Sequence, residues 1–355
     1  MFLAREGWAD QDFLSAMIHG RRARMAEGDR LDALVRLRSI DELVREVAPE
    51  GGARTVVDFQ RQIVTGLSDE ISKLGVRVGG ETGAVILWYA ARFYVENLKV
   101  LARGMATKAN LKDLQAFLVP VGQVRPLDYP SYLAADGPES FAALLGELAL
   151  RNGVLAAAEA YRRQPHPFFI EMGLDFGYLK QLVRLRKAMP ADDQEESLPV
   201  LRQEVNMFHL MLIARGKFTF GMKPEALAAF HVPGAGMGLP TFLSLAGAHD
   251  LAEVAGRAVG LVIDEAPGST VQHGESRGVE AADLEMLGWN RFHRLANGVF
   301  RRSHMGVGAV VGYVGLRRVE LANLIMLSEG IRLGVAPEVL RRRLIPHSVG
   351  EAARV

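Results

Sequence analysis

The sequence predicts an all-α fold, and three observations lead to that prediction. Leucine, alanine, arginine and glutamate, which favour helices, are abundant, while aromatic residues make up only 7% of the chain. No segment alternates between apolar and polar side chains as a half-buried strand does. A helical hairpin pattern recurs three times and closes at Pro120, Pro233 and Pro346, so successive closing prolines are 113 residues apart. A repeat of this length predicts similar domains arranged about a common axis.

The recurring unit opens at an asparagine and closes at its proline. The three copies run over residues 97–120, 206–233 and 323–346. The asparagine and the proline are 23 residues apart in the first and third copies and 27 apart in the middle copy, which predicts four inserted residues in the middle copy. We expect one buried core position in each copy: Leu98, Phe208 and Leu324. The copies predict three helical domains, over residues 1–122, 123–235 and 236–355.

Each copy is predicted to be two helices joined by a turn. The first helix is apolar and ends near a basic residue, Arg215 or Arg332, which suits the negative end of the helix dipole and which we place at equivalent positions. A glycine then permits the turn. A proline followed by a glutamate, at Pro224 and Pro337, opens a second helix of about two turns. The first copy lacks this proline, and Asn110 is predicted to cap its second helix.

Helical patterns account for most of the remaining chain. In order, they cover residues 13–24, 31–37, 40–47, 56–74, 84–102, 141–163 and 168–189. The intervening segments carry proline, glycine or runs of charge, which predict loops. The main predicted loops lie at residues 120–130, 190–196, 233–240 and 263–275.

Composition and charge exclude several classes of protein. With 42 basic and 41 acidic residues the net charge is +1, so no overall field attracts nucleic acid. The absence of cysteine excludes disulfides and thiolate metal sites. The first residues show no signal-peptide pattern. The longest apolar stretch, from Met305 to Leu316, has twelve residues, whereas a membrane-spanning helix needs roughly 20.

An acidic run is the first candidate for chemistry. Asp192, Asp193 and Glu196 match the spacing with which helical terpene synthases hold magnesium, and carboxylates there would bind a diphosphate through the metal. This pattern predicts, as an alternative function, a magnesium-dependent helical prenyl-diphosphate enzyme. The run follows Pro190, however, which favours a solvated charged loop.

The other candidate motifs favour structural roles. Gly306, Gly308 and Gly312 resemble a dinucleotide-binding glycine pattern, but no strand precedes them, so close helix packing is the better interpretation. The nine histidines show no metal-ligand spacing, and neither a nucleophile elbow nor a Walker loop occurs. We therefore assign no catalytic residue, cofactor or metal site.

Several segments together resemble a known family. They lie at residues 13–25, 96–99, 171–179, 204–234 and 306–323. The first begins at Phe13, where the family more usually has a tyrosine; the second reads Glu-Asn-Leu-Lys, like the first "D/E-N-L-K" helix of the family. In order and spacing these segments resemble the C subunit of archaeal and bacterial A/V-type rotary ATPases, which is related to the d subunit (AC39 family) of the vacuolar enzyme.

The resemblance implies an architecture and a role. Members are all-α, with three similar domains about a pseudo-threefold axis that form a funnel with a central cavity. The resemblance implies one copy per complex, peripheral at the cytoplasmic face of the membrane. There the subunit joins the central-stalk subunits (D/F type) to the proteolipid c-ring and transmits torque. It implies ion transport by the whole proton- or sodium-translocating complex, without catalysis by this subunit. A stand-alone helical scaffold is the remaining alternative.

Clustered arginines are the candidate interface residues. Two interpretations apply: solvated helix ends that compensate dipoles, or bidentate contacts with carboxylates of partner subunits. The candidates are Arg21, Arg22, Arg24, Arg215, Arg317, Arg318, Arg332, Arg341, Arg342 and Arg343.

Overall fold

The computed structural model describes residues 4–121, 127–267, 278–303 and 306–346, with side chains from residue 12 onward. Within these ranges the chain forms helices joined by turns, and the only bridge pairing is an isolated one between Val259 and Ile263. The prediction of an all-α fold is therefore confirmed.

The helices follow one another along the described part of the chain. The first are α1 (Ala4–Arg22), α2 (Gly28–Val35), α3 (Ile40–Val47), α4 (Val56–Val78), α5 (Gly80–Thr107), α6 (Leu111–Leu114), α7 (Tyr129–Leu133), α8 (Pro138–Ala143) and α9 (Leu148–Arg163). Then come α10 (Pro167–Arg186), α11 (Ala191–Met211), α12 (Pro224–Ala228), α13 (Leu239–Ala246), α14 (Leu251–Ala258), α15 (Ala281–Arg302), α16 (Val307–Arg332) and α17 (Pro337–Arg341). A 3-10 turn, Pro49–Gly51, precedes α4, and a π-helix, Leu212–Lys217, directly follows α11.

The helices group into two compact units. The terminal unit comprises Met1–Ile63, Pro190–Met207 and His249–Val355, and the middle unit comprises Val64–Met189 and Phe208–Ala248. The chain passes between them four times: inside α4, directly before α11, inside α11, and between α13 and α14. The division into three domains at residues 1–122, 123–235 and 236–355 remains a prediction.

In the middle unit, α10 packs against both α9 and α5. Glycines let the backbones of α9 and α10 touch. A Cβ atom added at Gly153 would collide with the carbonyl oxygen of Gly173, and one added at Gly177 would collide with that of Ala149. Because backbone atoms cannot swing aside, this helix crossing requires glycine.

In the terminal unit, α15 and α16 pack with a similarly close approach. A Cβ atom at Gly312 would lie 2.6 Å from the backbone nitrogen of Phe300 and 2.7 Å from the carbonyl oxygen of Ala296. The interpretation of the glycine pattern as a close-packing motif is thus confirmed for Gly312, whereas Gly306 and Gly308 lie against the side chains of Ser303 and Glu196. Apolar side chains of α2, α3, α4, α16 and α17 form one buried cluster, which includes Leu34 and Leu340.

Two local predictions are wrong. Residues 191–196 are not a loop: they form the first turns of α11, which starts directly after Pro190 with acidic side chains at its positive end. The second helices of the three hairpins, α6, α12 and α17, have only four or five residues, about one turn rather than two. Among the described helices, none combines the length and apolar character needed to cross a membrane.

Candidate partner interface

The first and third hairpins are closed by the same asparagine latch. Asn97 accepts a hydrogen bond from the backbone N–H of Val119 at 2.9 Å and donates one to its carbonyl oxygen at 2.8 Å. Asn323 does the same with Ile345, at 2.9 Å and 2.6 Å. Both asparagines are buried, and each lies 22 residues before the residue it holds, which directly precedes the closing proline. A single side chain thus satisfies both backbone groups of the residue it holds, which is buried at Ile345 and partly buried at Val119.

In the middle hairpin the latch is His209 rather than Asn206. The Nε2 atom of His209 accepts a hydrogen bond from the N–H of Val232 at 2.9 Å, 23 residues further on. Asn206 instead donates to the carbonyl oxygen of Leu261 at 3.3 Å. The predicted four-residue insertion is therefore wrong, because the middle hairpin is longer by one residue only.

The extra residue lies between Gly216 and Gly221, where the π-helix ends and the turn begins. Seven residues separate the latch from a glycine in every hairpin, and that glycine packs under a leucine of the second helix. The pairs are Gly104 with Leu114, Gly216 with Leu227, and Gly330 with Leu340. The left-handed turn residue then follows the glycine by four, five and four residues: Lys108, Gly221 and Gly334.

Alignment of the three hairpins by their latch residues corrects two predictions made from the sequence. Leu98 and Leu324 are buried as predicted, but their counterpart in the middle hairpin is the buried Leu210, and Phe208 is only half-buried. Arg215 precedes its glycine by one residue whereas Arg332 follows its glycine by two, so these arginines are not at equivalent positions.

The glutamates near the latches have unrelated partners. Glu320 accepts a hydrogen bond from the backbone N–H of Ala26 at 2.6 Å. Glu96 forms ion pairs with Arg92 at 2.8 Å and Lys99 at 3.1 Å. Although burial opposes its charged form, these two cations lower the pKa of Glu96 to about 2.

The Glu-Asn-Leu-Lys segment on α5 also contacts α10. Lys99, whose side chain is only 8% exposed, pairs with Asp175 at 2.7 Å, and Arg92 pairs with the same carboxylate at 2.9 Å. One turn away, Arg103 binds both carboxylate oxygens of Glu171, at 2.6 and 3.1 Å. Two of the segments that carry the family resemblance therefore meet in one ion-pair ladder within the middle unit.

Four of the candidate arginines hold the terminal unit together. Arg318 binds Glu204 through two hydrogen bonds, at 3.0 and 3.1 Å, with the two side chains 12% and 9% exposed. Its guanidinium also lies 5.3 Å from the ring centre of Phe292. The other three pair within the same unit: Arg22 with Glu27, Arg317 with Glu320, and Arg341 with Asp32. These contacts assign a structural role to the four residues.

The other candidates are more accessible. Arg332 pairs with Glu329 at 2.7 Å but leaves 55% of its side chain exposed. Arg215 is exposed and Arg21 is partly buried. The side chains of Arg24, Arg342 and Arg343 are exposed and contact no carboxylate among the described residues.

The turn and second helix of the third hairpin combine these cations with exposed apolar side chains. Leu333 is 64% exposed and Val339 is 45% exposed. Val339 on α17 and its C-cap residue Arg342 are three residues apart, so these two share one face, and Arg343 follows directly in the turn. We call Leu333, Val339, Arg342 and Arg343 the hairpin-3 patch. Its chemistry suits a partner with apolar and acidic side chains.

The acidic run does not assemble a metal site. Glu196 is engaged by the hydroxyl of Ser303 at 2.8 Å and by the backbone N–H of Gly308 at 2.7 Å, so it caps the start of α16. Asp192 and Glu195 line a cavity of about 690 Å³ together with three arginines. No group of three or more potential metal ligands occurs within the ranges that the structure describes.

Comparison with known proteins identifies the family. The profile of the ATP synthase (C/AC39) subunit matches residues 14–343. The chain is also 22% identical, over an alignment 363 positions long, to the C subunit of the A-type ATP synthase from Methanocaldococcus jannaschii; the alignment covers 94% of this chain and 86% of that protein. The matched range includes the first two latched hairpins and most of the third. The chain therefore belongs to the ATP synthase (C/AC39) subunit family.

Proposed function

We propose that this protein is a non-catalytic rotor subunit of a proton- or sodium-translocating A/V-type ATPase. In this role it joins the central-stalk subunits (D/F type) to the proteolipid c-ring and transmits torque between them. The observation that carries the proposal is the family match over residues 14–343. We further propose one copy per complex, at the cytoplasmic face of the membrane, with the three hairpins belonging to three similar domains about a pseudo-threefold axis that enclose a central cavity.

The local structure supports a mechanical role. A part that passes torque must resist deformation, and close-packed helices deform little. The latches fix the ends of each hairpin, while the backbone contact of α9 with α10 and the ion-pair ladder tie three long helices together. These contacts join helices within one unit, and such contacts make the unit resist deformation under torque.

The hairpin-3 patch is our candidate for a partner contact. Arg342 and Arg343 offer guanidinium groups that no described carboxylate occupies and that can bind a partner's carboxylates through two hydrogen bonds. Leu333 and Val339 offer apolar area beside them. Arg24, Arg215 and Arg332 are secondary candidates. The weaker candidates, which already pair inside the terminal unit, are Arg22, Arg317, Arg318 and Arg341.

The proposal is tested by binding of the purified chain to purified c-rings and, separately, to the purified stalk subunits. We expect the double variant Arg342→Glu/Arg343→Glu to weaken binding to one of the two by at least tenfold, because like charges then oppose each other. The control is Arg162→Glu/Arg163→Glu, which reverses two exposed charges at the end of α9. Equal binding of all three proteins would remove the hairpin-3 patch from the interface. Failure of the unaltered chain to bind either partner would contradict the proposed function.

A further inference from the structure

The latch of the middle hairpin differs chemically from the other two. His209 is fully buried, and its Nε2 atom accepts the Val232 hydrogen bond, so the neutral ring carries its hydrogen on Nδ1. That Nδ1 atom is buried and has no hydrogen-bond partner among the described residues. The histidine therefore satisfies one backbone group, where each asparagine satisfies two.

The ring of His209 contacts three aromatic rings among the described residues. The ring of His231 stacks on it with 4.8 Å between centroids and 12° between planes, and Phe242 of α13 meets it edge-on at 5.1 Å. The ring of Phe208 lies 5.9 Å away. The Nε2 atom of His231 is 2.9 Å from the carbonyl oxygen of Met237. Burial and, to a lesser degree, His231 lower the pKa of His209 to about 3.

We propose that His209 makes the middle hairpin an acid-sensitive latch: protonation of its ring releases the Val232 N–H and opens residues 209–233, while the asparagine-latched hairpins stay closed. A protonated imidazole carries hydrogens on both nitrogens, so Nε2 no longer accepts a hydrogen bond and its N–H faces the N–H of Val232. Asn97 and Asn323 do not titrate and keep both hydrogen bonds.

The pH range follows from the two states of the hairpin. In the open hairpin, water surrounds the ring and its pKa returns to about 6.5, whereas in the closed hairpin it is about 3. The free-energy difference that favours the closed hairpin is therefore at its full value above about pH 6.5, and it decreases as the pH falls. Between about pH 6 and pH 4 the open fraction should rise about tenfold for each pH unit. This inference does not depend on which partners the protein binds.

Amide hydrogen exchange of the full-length chain tests the proposal at a series of pH values from about 7 to about 4, with rates corrected for the intrinsic effect of pH. Amides of residues 212–232 should lose protection about tenfold per pH unit below about pH 6, while amides of hairpins 97–120 and 323–346 keep theirs. This comparison lies within one molecule and needs no variant. Parallel loss in all three hairpins, or constant protection in the middle one, would overturn the proposal.

A pair of variants identifies the titrating group. The Oε1 atom of a glutamine reaches about as far as the Nε2 atom of a histidine, so His209→Gln keeps a latch that does not titrate and should abolish the acid-dependent loss. The matched variant His231→Gln removes the stacked ring and leaves His209 in place, so it should retain that loss. The opposite pattern would assign the effect to His231 and contradict the proposal.

Discussion

The side chain of Asn323 holds the backbone N–H and the backbone carbonyl of Ile345 at the same time, at 2.9 and 2.6 Å. Both residues are buried, and they lie 22 residues apart in the sequence. The same arrangement between Asn97 and Val119 shows that it is a device of the repeat rather than an accident of one loop.

Removal of this latch should be costly. Asn323→Ala deletes two buried hydrogen bonds and leaves two backbone groups without partners, so we expect the free energy of unfolding to fall by about 2–4 kcal/mol. Urea denaturation measures the change. The control is Asn152→Ala on the exposed face of α9, which should alter stability by less than about 0.5 kcal/mol. Equal effects of the two substitutions would contradict the latch.

The register of the middle hairpin leads to a second prediction. Leu210 is 1% exposed, so Leu210→Ala should destabilise the protein by about 2–5 kcal/mol through lost burial and a residual cavity. Phe208→Ala removes a larger side chain, but a half-buried one, and should cost less than Leu210→Ala. Thermal or urea unfolding of the two variants compares them directly. A larger cost at Phe208 would favour the register with Asn206 as the latch.

The crossing of α9 and α10 predicts opposite effects for two glycine substitutions. Gly177→Ala places a methyl group against the carbonyl of Ala149, which forces the helices apart and should cost about 1–3 kcal/mol. Gly66→Ala on α4 meets no atom within 4 Å and should instead stabilise the protein by up to about 1 kcal/mol, because alanine favours a helix. Melting temperatures should thus shift in opposite directions. Shifts of the same sign would show that the helices do not touch in this way.

The ion pair between Arg318 and Glu204 leads to a further prediction. Removal of one partner should lower the free energy of unfolding more than removal of both. Arg318→Met leaves the Glu204 carboxylate buried without this guanidinium, which should cost about 3 kcal/mol. Adding Glu204→Leu removes that charge and should recover at least half of the loss. Urea denaturation of both single variants and the double variant gives the coupling energy. Additive losses would mean that the two side chains do not interact.

The sequence predicted the helical class and, from the fixed distance between asparagine and proline, the bounds of the first and third hairpins. It did not predict that the asparagine side chains close these hairpins. It misplaced the start of the middle hairpin because the closing residue there is His209 and the segment from Gly216 to Gly221 holds one additional residue. A glycine at seven residues after each latch, at Gly104, Gly216 and Gly330, was a usable signal. The pairing of Arg318 with Glu204, 114 residues apart, carries no local pattern and required the tertiary structure.

The start of α11 shows in another way why prediction from neighbouring residues has a limit. A charged run after a proline is typical of a solvated loop, yet proline followed by acidic residues is equally typical of a helix start. The contacts of Glu196 with Ser303 and Gly308 favour the helix, and they come from a segment more than a hundred residues away, which local rules do not see.

The most direct test of whether this chain works inside an A/V-type ATPase rotor is affinity capture of the chain from the organism that produces it. A tagged chain is recovered from gently solubilised membranes under conditions in which that ATPase stays intact. We expect recovery of c-ring and central-stalk subunits in near-stoichiometric amounts. Recovery of the chain without them would contradict the proposed role and would favour a stand-alone helical scaffold.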